Sequence, residues 1–338
     1  MFLNSLLFLS ALCVISANAE LSPSLDRLFE DWSIQYRVKF ENGFHRENVF
    51  RKWVGNHLFI EKHNQLNATF TLGHNQFSGM DSVDFSKWLN RIEVPAVSSY
   101  VTSSVEVGGS PASVDWVSAG AVTPVKDQGQ CGSCWSFSTT GALEGAYFIK
   151  YGRLLSFSEQ QLVDCDTLGN GGRDHGCNGG LMDNAFTWIG KNNGLCLESE
   201  YPYVSGTTKT AGSCSTQCSV VSGSDVVRYV DVTPNSDSAF ISALAQQPVS
   251  IAIEADQREF QLYKSGVFTA TCGINLDHGV LAVGYGTDSG SGLDFYKVKN
   301  SWSSSWGEGG FIRLARGSKY NAGSGQCGIL MQASYPVL

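Results

Sequence analysis

The placement of cysteine constrains this chain more than any other feature: Cys13 stands alone near the N-terminus, and the other nine of ten cysteines all follow residue 130. The long stretch between Cys13 and Cys131 must therefore fold without cross-links, whereas the part beyond it can be stapled. Such a break in construction marks a candidate domain boundary. Nine is an odd number. With Cys13 lost in a leader segment, eight thiols suffice for four bridges and one remains as a candidate reactive group. Eight cysteines can be joined in on the order of a hundred ways, so counting alone does not choose the pairs.

Residues Met1 to Ala19 form an almost uninterrupted apolar run ending Ala17-Asn18-Ala19, a small-x-small pattern suited to signal peptidase. The run holds no Lys or Arg, and an uncleaved anchor is the alternative, but it is short for a spanning helix. The expectation is a signal peptide over 1–19 and a secretory route, extracellular or lysosomal/vacuolar, with no membrane span after signal removal. That route supplies the oxidising compartment that bridges need. The 338 residues exceed what one core requires, which suits a processed precursor or two lobes. From Ser110 onward 14 basic residues face 20 acidic ones, and 14 minus 20 leaves −6, a balance that argues against nucleic acid as a partner.

Between Ser24 and Leu89 aromatic residues such as Phe29, Trp32, Tyr36 and Phe40 recur at helical spacing among charges, predicting amphipathic helices. Asn67-Ala68-Thr69 within this region is an N-glycosylation sequon, a weak pattern by itself. From Pro95 to Pro111 the chain turns small and polar, as an extended linker does. Beyond it, helical spacing runs from Cys134 to Tyr151 and stops at Gly152. Ser158 with Gln161 reads as a capping box for a second helix reaching Cys165, and 181–191 reads as a third. After about Val220 the pattern becomes β-rich, at Val249–Ile253, Val280–Tyr285, Phe295–Lys299 and Phe311–Leu314. The division expected is signal 1–19, propeptide 20–109 and mature region 110–338, the last split into an α lobe at about 110–219 and a β lobe at about 220–338. The fold class is α+β.

The chemistry concentrates in three segments: Gln128 with Cys131-Gly132-Ser133-Cys134-Trp135, then Asp277-His278-Gly279, then Asn300-Ser301-Trp302. A thiol attacks only as thiolate, and at the start of a helix the positive end of the dipole favours that charge. An imidazolium partner, His278, lowers the thiol pKa further, and Asn300 can orient the ring through its side-chain carbonyl without adding charge. Gln128 and the backbone N–H of Cys134 are candidate donors to a developing oxyanion, and Trp302 a shield for the His278–Asn300 bond. Read alone, Cys131 and Cys134 also suit a redox or metal site, but no second ligand pair follows at zinc-ribbon spacing. His175, in the loop between Cys165 and Cys177, reads as a solvated residue.

These motifs, in this order, resemble those of the papain-like cysteine proteases, the cathepsin L branch in particular, from about residue 25 to the C-terminus. The resemblance implies a papain-like two-lobed fold preceded by a helical inhibitory propeptide. It also implies bridges Cys131–Cys177, Cys165–Cys214 and Cys272–Cys327, with Cys196–Cys218 as an extra; Cys165–Cys218 with Cys196–Cys214 stays open. Substrate would meet Gly132, Gly179, Gly180, Asp277 and Trp302, with Leu181, Met182, Ala252, Leu276 and Gln332 aligned to an apolar S2 pocket that favours Leu, Phe or Val at P2. No histidine-bearing occluding insertion is present, which implies endopeptidase rather than exopeptidase action. Trp53, Asn56, Ile60 and Asn64, then Gly73, Asn75 and Phe77, match two propeptide motifs. His45 and Val49 stand where the first motif has Glu and Arg, and Gly79 stands where the second has an acid, so the family's usual ion pair and acid-sensing carboxylate are missing. Ser303 likewise replaces the glycine usual after Trp302. The implied protein is a zymogen without cofactor or metal, a monomer acting on polypeptides, held by its own propeptide and open to cystatin-type inhibitors. Acyl transfer to an amine, which shares the acyl-enzyme, and a disulfide-stapled binding protein with a vestigial site are the rival classes.

Overall fold

A computed structural model describes residues 25–89 and 109–338. The apolar run at 1–19 and the linker up to residue 108 lie outside the described residues. The propeptide region contains α1 (residues 25–35), α2 (Gly43–Asn64), a short strand β1 (Phe70–Leu72) and α3 (Ser82–Leu89). Asn42 caps α2 by accepting the N–H of His45. Helix α1 packs on α2 through Phe29, Trp32 and Trp53, which form a core of their own.

The expectation of helices alone from Ser24 to Leu89 is corrected by β1. This strand pairs antiparallel with β5 (Tyr263–Phe268), setting Phe70 opposite Gly266. Gly266 has φ +98°, and a Cβ there would stand 2.4 Å from the carbonyl oxygen of Thr69, so only glycine admits the strand so closely. Three residues whose pairing partner lies about two hundred positions away carry no local strand signal.

The mature region begins with β2 (Val114–Asp115). The helices α4 (Cys134–Tyr151), α5 (Glu159–Cys165), α6 (Met182–Lys191) and the single turn α7 (Ser205–Thr208) follow. Then come β3 (Arg228–Asp231), α8 (Asp237–Leu244), β4 (Val249–Ile253), the turn α9 (Arg258–Gln261), β5, β6 (His278–Thr287), β7 (Asp294–Lys299), β8 (Phe311–Ala315) and β9 (Ala333–Val337). The sheet order is β1-β5-β8-β7-β6-β4-β9-β3, with β2 against β6. That last pairing takes the first strand of the expected α lobe across to the β lobe.

Strand β6 is buried at every position but its last. Helix α4 reaches it closely because Gly141 and Gly145 lie one turn apart on one face. A Cβ at Gly141 would be 2.7 Å from Leu281, and one at Gly145 would be 2.6 Å from Pro248. Gly152, at φ +69°, ends α4 where the sequence predicts. The capping box at Ser158 is only half formed: its hydroxyl accepts the N–H of Gln161, but the Gln161 side chain turns away to accept the N–H of Cys196. The Ser158 N–H bonds to the carbonyl of Cys196 instead. Disulfides join Cys131–Cys177, Cys165–Cys214, Cys196–Cys218 and Cys272–Cys327, and Cys134 is free.

Candidate active site

Three elements converge between the lobes. Cys134 opens α4, His278 opens β6, and Asn300 follows the last residue of β7. All three side chains are buried. His278 Nε2 lies 2.7 Å from Asn300 Oδ1, which also accepts the N–H of Ser301 at 2.8 Å. The ring's other nitrogen, Nδ1, has no hydrogen-bond partner among the described residues. The N–H of Gly279, the residue after His278, donates to Cys134 Sγ at 3.4 Å. Trp302 stacks on the His278 ring with centroids 4.6 Å apart and is itself fully buried, so the His278–Asn300 bond is kept from water.

In this closed form burial favours the neutral forms of both Cys134 and His278. Burial pushes the Cys134 thiol up to about 12, against the opposing pull of the Gly279 N–H, and burial drives His278 down to about 4. Between those values both groups are neutral. The groups stand in place, but their ionisation waits on solvent.

Gln128 is held from both sides: its Nε2 donates to the carbonyl of Cys131 at 3.0 Å, and its Oε1 accepts from Ser301 Oγ at 2.7 Å. Its backbone carbonyl accepts from Tyr203 Oη at 2.8 Å, and the same hydroxyl lies 2.7 Å from Ser133 Oγ, just ahead of Cys134. Tyr203 thus ties both candidate oxyanion donors to one rigid ring. Only tertiary structure brings Tyr203 here.

Gly132 donates its N–H to the carbonyl of Cys177. Gly179 has φ +105°, and Gly180 is fixed by sterics, since a Cβ there would be 2.6 Å from Trp135 and 2.8 Å from Asp174. The Asp174 carboxyl receives the N–H of Leu181 and the amide of Asn184, and burial followed by its neighbour Asp166 pushes it up to about 9. The hydrogen bonds that Asp174 accepts from Leu181 and Asn184 brace the Gly179–Leu181 segment. Met182, Ala252 and Leu276 belong to one hydrophobic cluster, and Gln332 offers its carbonyl to the N–H of Ala252. Asp277 accepts the N–H of Ala255, with burial pushing its carboxyl up to about 7. His175 is exposed, and Asn67 is exposed beyond the end of α2. Ser303 adopts φ +65°, the left-handed conformation that glycine takes without strain, at a cost of about 1 kcal/mol or somewhat more.

Described propeptide residues reach this site through Trp302. Phe77, Phe85 and Trp88 pack on its ring with centroids 5.3, 5.6 and 5.6 Å away, and Gln76 donates to its carbonyl. Asn75 donates to the carbonyl of Gln261, while the Gln261 amide donates to the carbonyls of Phe77 and Met80.

The fold and this arrangement define a thiol-dependent protease made together with its own inhibitory segment. A family model described as papain family cysteine protease matches residues 110–337, and one described as cathepsin propeptide inhibitor domain matches residues 29–85. The chain belongs to the papain family of cysteine proteases. It is 44% identical over 318 residues to the probable cysteine protease RD21C of Arabidopsis thaliana, an overlap covering 92% of this chain and 67% of that protein. To the senescence-specific cysteine protease SAG39 of Oryza sativa subsp. japonica it is 41% identical over 341 residues, 97% of this chain and 96% of that one. Among solved structures, a recombinant stem bromelain precursor superposes with a TM-score of 0.82 at 36% identity, covering 93% of this chain and 99% of that chain.

Proposed function

We propose that the protein is a secreted or lysosomal/vacuolar cysteine endopeptidase that hydrolyses peptide bonds through Cys134 and His278, with an apolar residue favoured at P2. The signal peptide (1–19) leaves first, and the propeptide (20–109) is removed near Ser110 in acid. The mature chain acts as a monomer on polypeptides, without cofactor or metal, and cystatin-type inhibitors block the same cleft. The sequon at Asn67, in an exposed position, is open to glycosylation in transit.

The observation that carries the reading is the holding of His278: Asn300 occupies Nε2, which leaves Nδ1 as the nitrogen free to exchange a proton with Cys134. Once solvent and substrate replace the propeptide, the thiolate attacks the peptide carbonyl carbon, a C–S bond forms, and the carbonyl electron pair moves to oxygen. Gln128 Nε2 and the Cys134 N–H receive that charge. The oxyanion collapses, the C–N bond breaks, and His278 gives its proton to the leaving amine. Water, deprotonated by His278, then cleaves the acyl-enzyme. Peptide amides differing only in Leu or Arg at P2 test the reading on acid-matured protein. The peptide with Leu at P2 should be cleaved faster by roughly tenfold or more, given what burying an aliphatic side chain in an apolar pocket contributes. Faster cleavage of the peptide with Arg at P2 would sink the pocket assignment, and no cleavage of either would sink the function.

A further inference from the structure

In the family this chain resembles, an ion pair and an acidic residue stand at positions held here by His45, Val49 and Gly79. The structure replaces them with apolar contact: a Cβ at Gly79 would lie 2.8 Å from both Trp32 and Val49. No carboxylate there can serve as the acid trigger. One turn of α2 beyond Trp53, however, His57 meets His74 from the segment after β1. His57 Nδ1 lies 3.0 Å from His74 Nε2, and Trp53, His57 and His74 stack nearly parallel, with interplanar angles of 6 to 10°. One ring donates and the other accepts, which requires at least one of them to lack its second proton. His74 Nδ1 is buried with no partner.

We propose that the His57–His74 pair is the acid-sensitive latch of the propeptide, and that protonating both rings parts α2 from the 73–78 segment and releases its hold on the β lobe. The proposal rests on the reading above that acid-favoured propeptide removal activates the enzyme. Two imidazolium rings at hydrogen-bond distance repel, and once both nitrogens of the His74 ring carry protons the buried Nδ1–H meets no acceptor. The path outward is short. The carbonyl of His74 receives the Tyr36 hydroxyl, and the next residue, Asn75, binds Trp32 through its carbonyl and Gln261 through its amide. Gln261 in turn accepts from Trp306, which packs against Trp302, the residue stacked on His278.

The pair borders a pocket between the propeptide and the β lobe, so protons have a route to it. The other titratable groups lining that pocket are Asp31 from α1, Tyr36 in the turn just after it, and Tyr263 and Lys264 from β5. The Lys264 stem lies over Gly73 and adds positive charge on that side, while Asp31 opposes it; Glu61 stands exposed one turn farther along α2. Neither ring has a salt bridge among the described residues. The sign follows from the depression of His74: burial, then His57, lowers it from 6.5 to about 4. The released segment binds the proton more readily, so the docked form weakens as pH falls from about 6.5 to about 4 and no further below. A gap of that size changes the docking equilibrium by up to roughly 300-fold.

The test compares self-maturation of the full-length precursor across pH with that of His74→Phe and His57→Phe, which keep an aromatic face toward Trp53. Each variant should mature at least tenfold more slowly at pH 5, with its midpoint moved to lower pH by about one unit or more. Once matured by added enzyme, both should give the wild-type rate, because the mature chains are identical. An unchanged midpoint overturns the latch. Histidine ring NMR on the inert Cys134→Ala full-length chain provides a readout independent of activity and of variant folding at the pair. One resonance assigned to the pair should titrate well below 6.5; both titrating at or above 6.5 overturns the latch even if the protease assignment stands. If no form of the mature protein cleaves peptide, the proposed function fails while the NMR titration still decides the latch.

Discussion

A precursor carrying Cys134→Ala should fold, stay at full length in acid, and hydrolyse peptide amides about a millionfold more slowly than the acid-matured wild type, near the limit that removal of an attacking group sets. Folding should survive because the sulfur's polar contacts are with backbone N–H groups, first among them the 3.4 Å donation from Gly279, and burial favours its neutral form. Removing it deletes a small apolar volume and no buried charge, so the stability change should stay within about 1–2 kcal/mol. Peptide turnover and the urea midpoint, measured on one preparation, check both halves. A variant that retained more than a thousandth of wild-type turnover would show that the nucleophile lies elsewhere.

The second large effect concerns stability and a residue outside the reacting groups. Glu144→Ala should cost about 3–5 kcal/mol, the range for breaking a buried charge pair. Glu144, buried on α4, accepts from Lys126 Nζ at 3.1 Å, Thr123 Oγ1 at 2.6 Å and the Phe157 N–H at 3.1 Å. Lys126 also meets Glu159 at 2.5 Å, and Lys299 donates to Thr123 at 3.0 Å. Burial alone would lower Lys126, but Glu144 and Glu159 outweigh it and hold the amine well above its usual range. Lys299, fully dependent on this cluster for compensation at longer range, is lowered by burial to about 8. Without Glu144, Lys126 keeps Glu159 in contact and Glu198 beyond it, Lys299 loses the larger of its two favourable carboxylate interactions, and the Phe157 N–H loses its acceptor. Because Lys299 directly precedes Asn300, a softened cluster should also loosen the His278–Asn300 bond. A fall in the urea midpoint accompanied by lower kcat would fit this account; a midpoint within experimental error of wild type would refute it.

Much of the site was legible because its chemistry is local in sequence. The segment around Cys134 carries the nucleophile, the start of α4 and the conformation that presents it, while the Asp277-His278-Gly279 and Asn300-Ser301-Trp302 segments each begin or end a strand. Apolar spacing from Cys134 to Tyr151 and the glycine after it sufficed for α4. What escaped the sequence depends on groups far apart in the chain. Strand β1 exists because β5 offers it an edge with Gly266 at the crossing, and nothing within Phe70–Leu72 announces that. Gln161 forms half a capping box because the Cys196 N–H competes for its side chain. Tyr203 and Asp174 entered the site by folding alone. The pull of burial on Cys134 and His278 toward their neutral forms is likewise set by packing, which the motif does not encode.

Epoxide labelling bears most directly on the central claim, that this chain is a latent protease whose nucleophile is Cys134. The purified precursor is exposed to mildly acidic, reducing buffer, and a mechanism-based epoxide is added before and after; the N-terminus and the modified peptide are then read by mass spectrometry. The account predicts no labelling at neutral pH, then a new N-terminus near Ser110 together with one equivalent of label on Cys134 and loss of peptide hydrolysis. A chain that sheds its N-terminal segment yet takes up no label at Cys134 would contradict it.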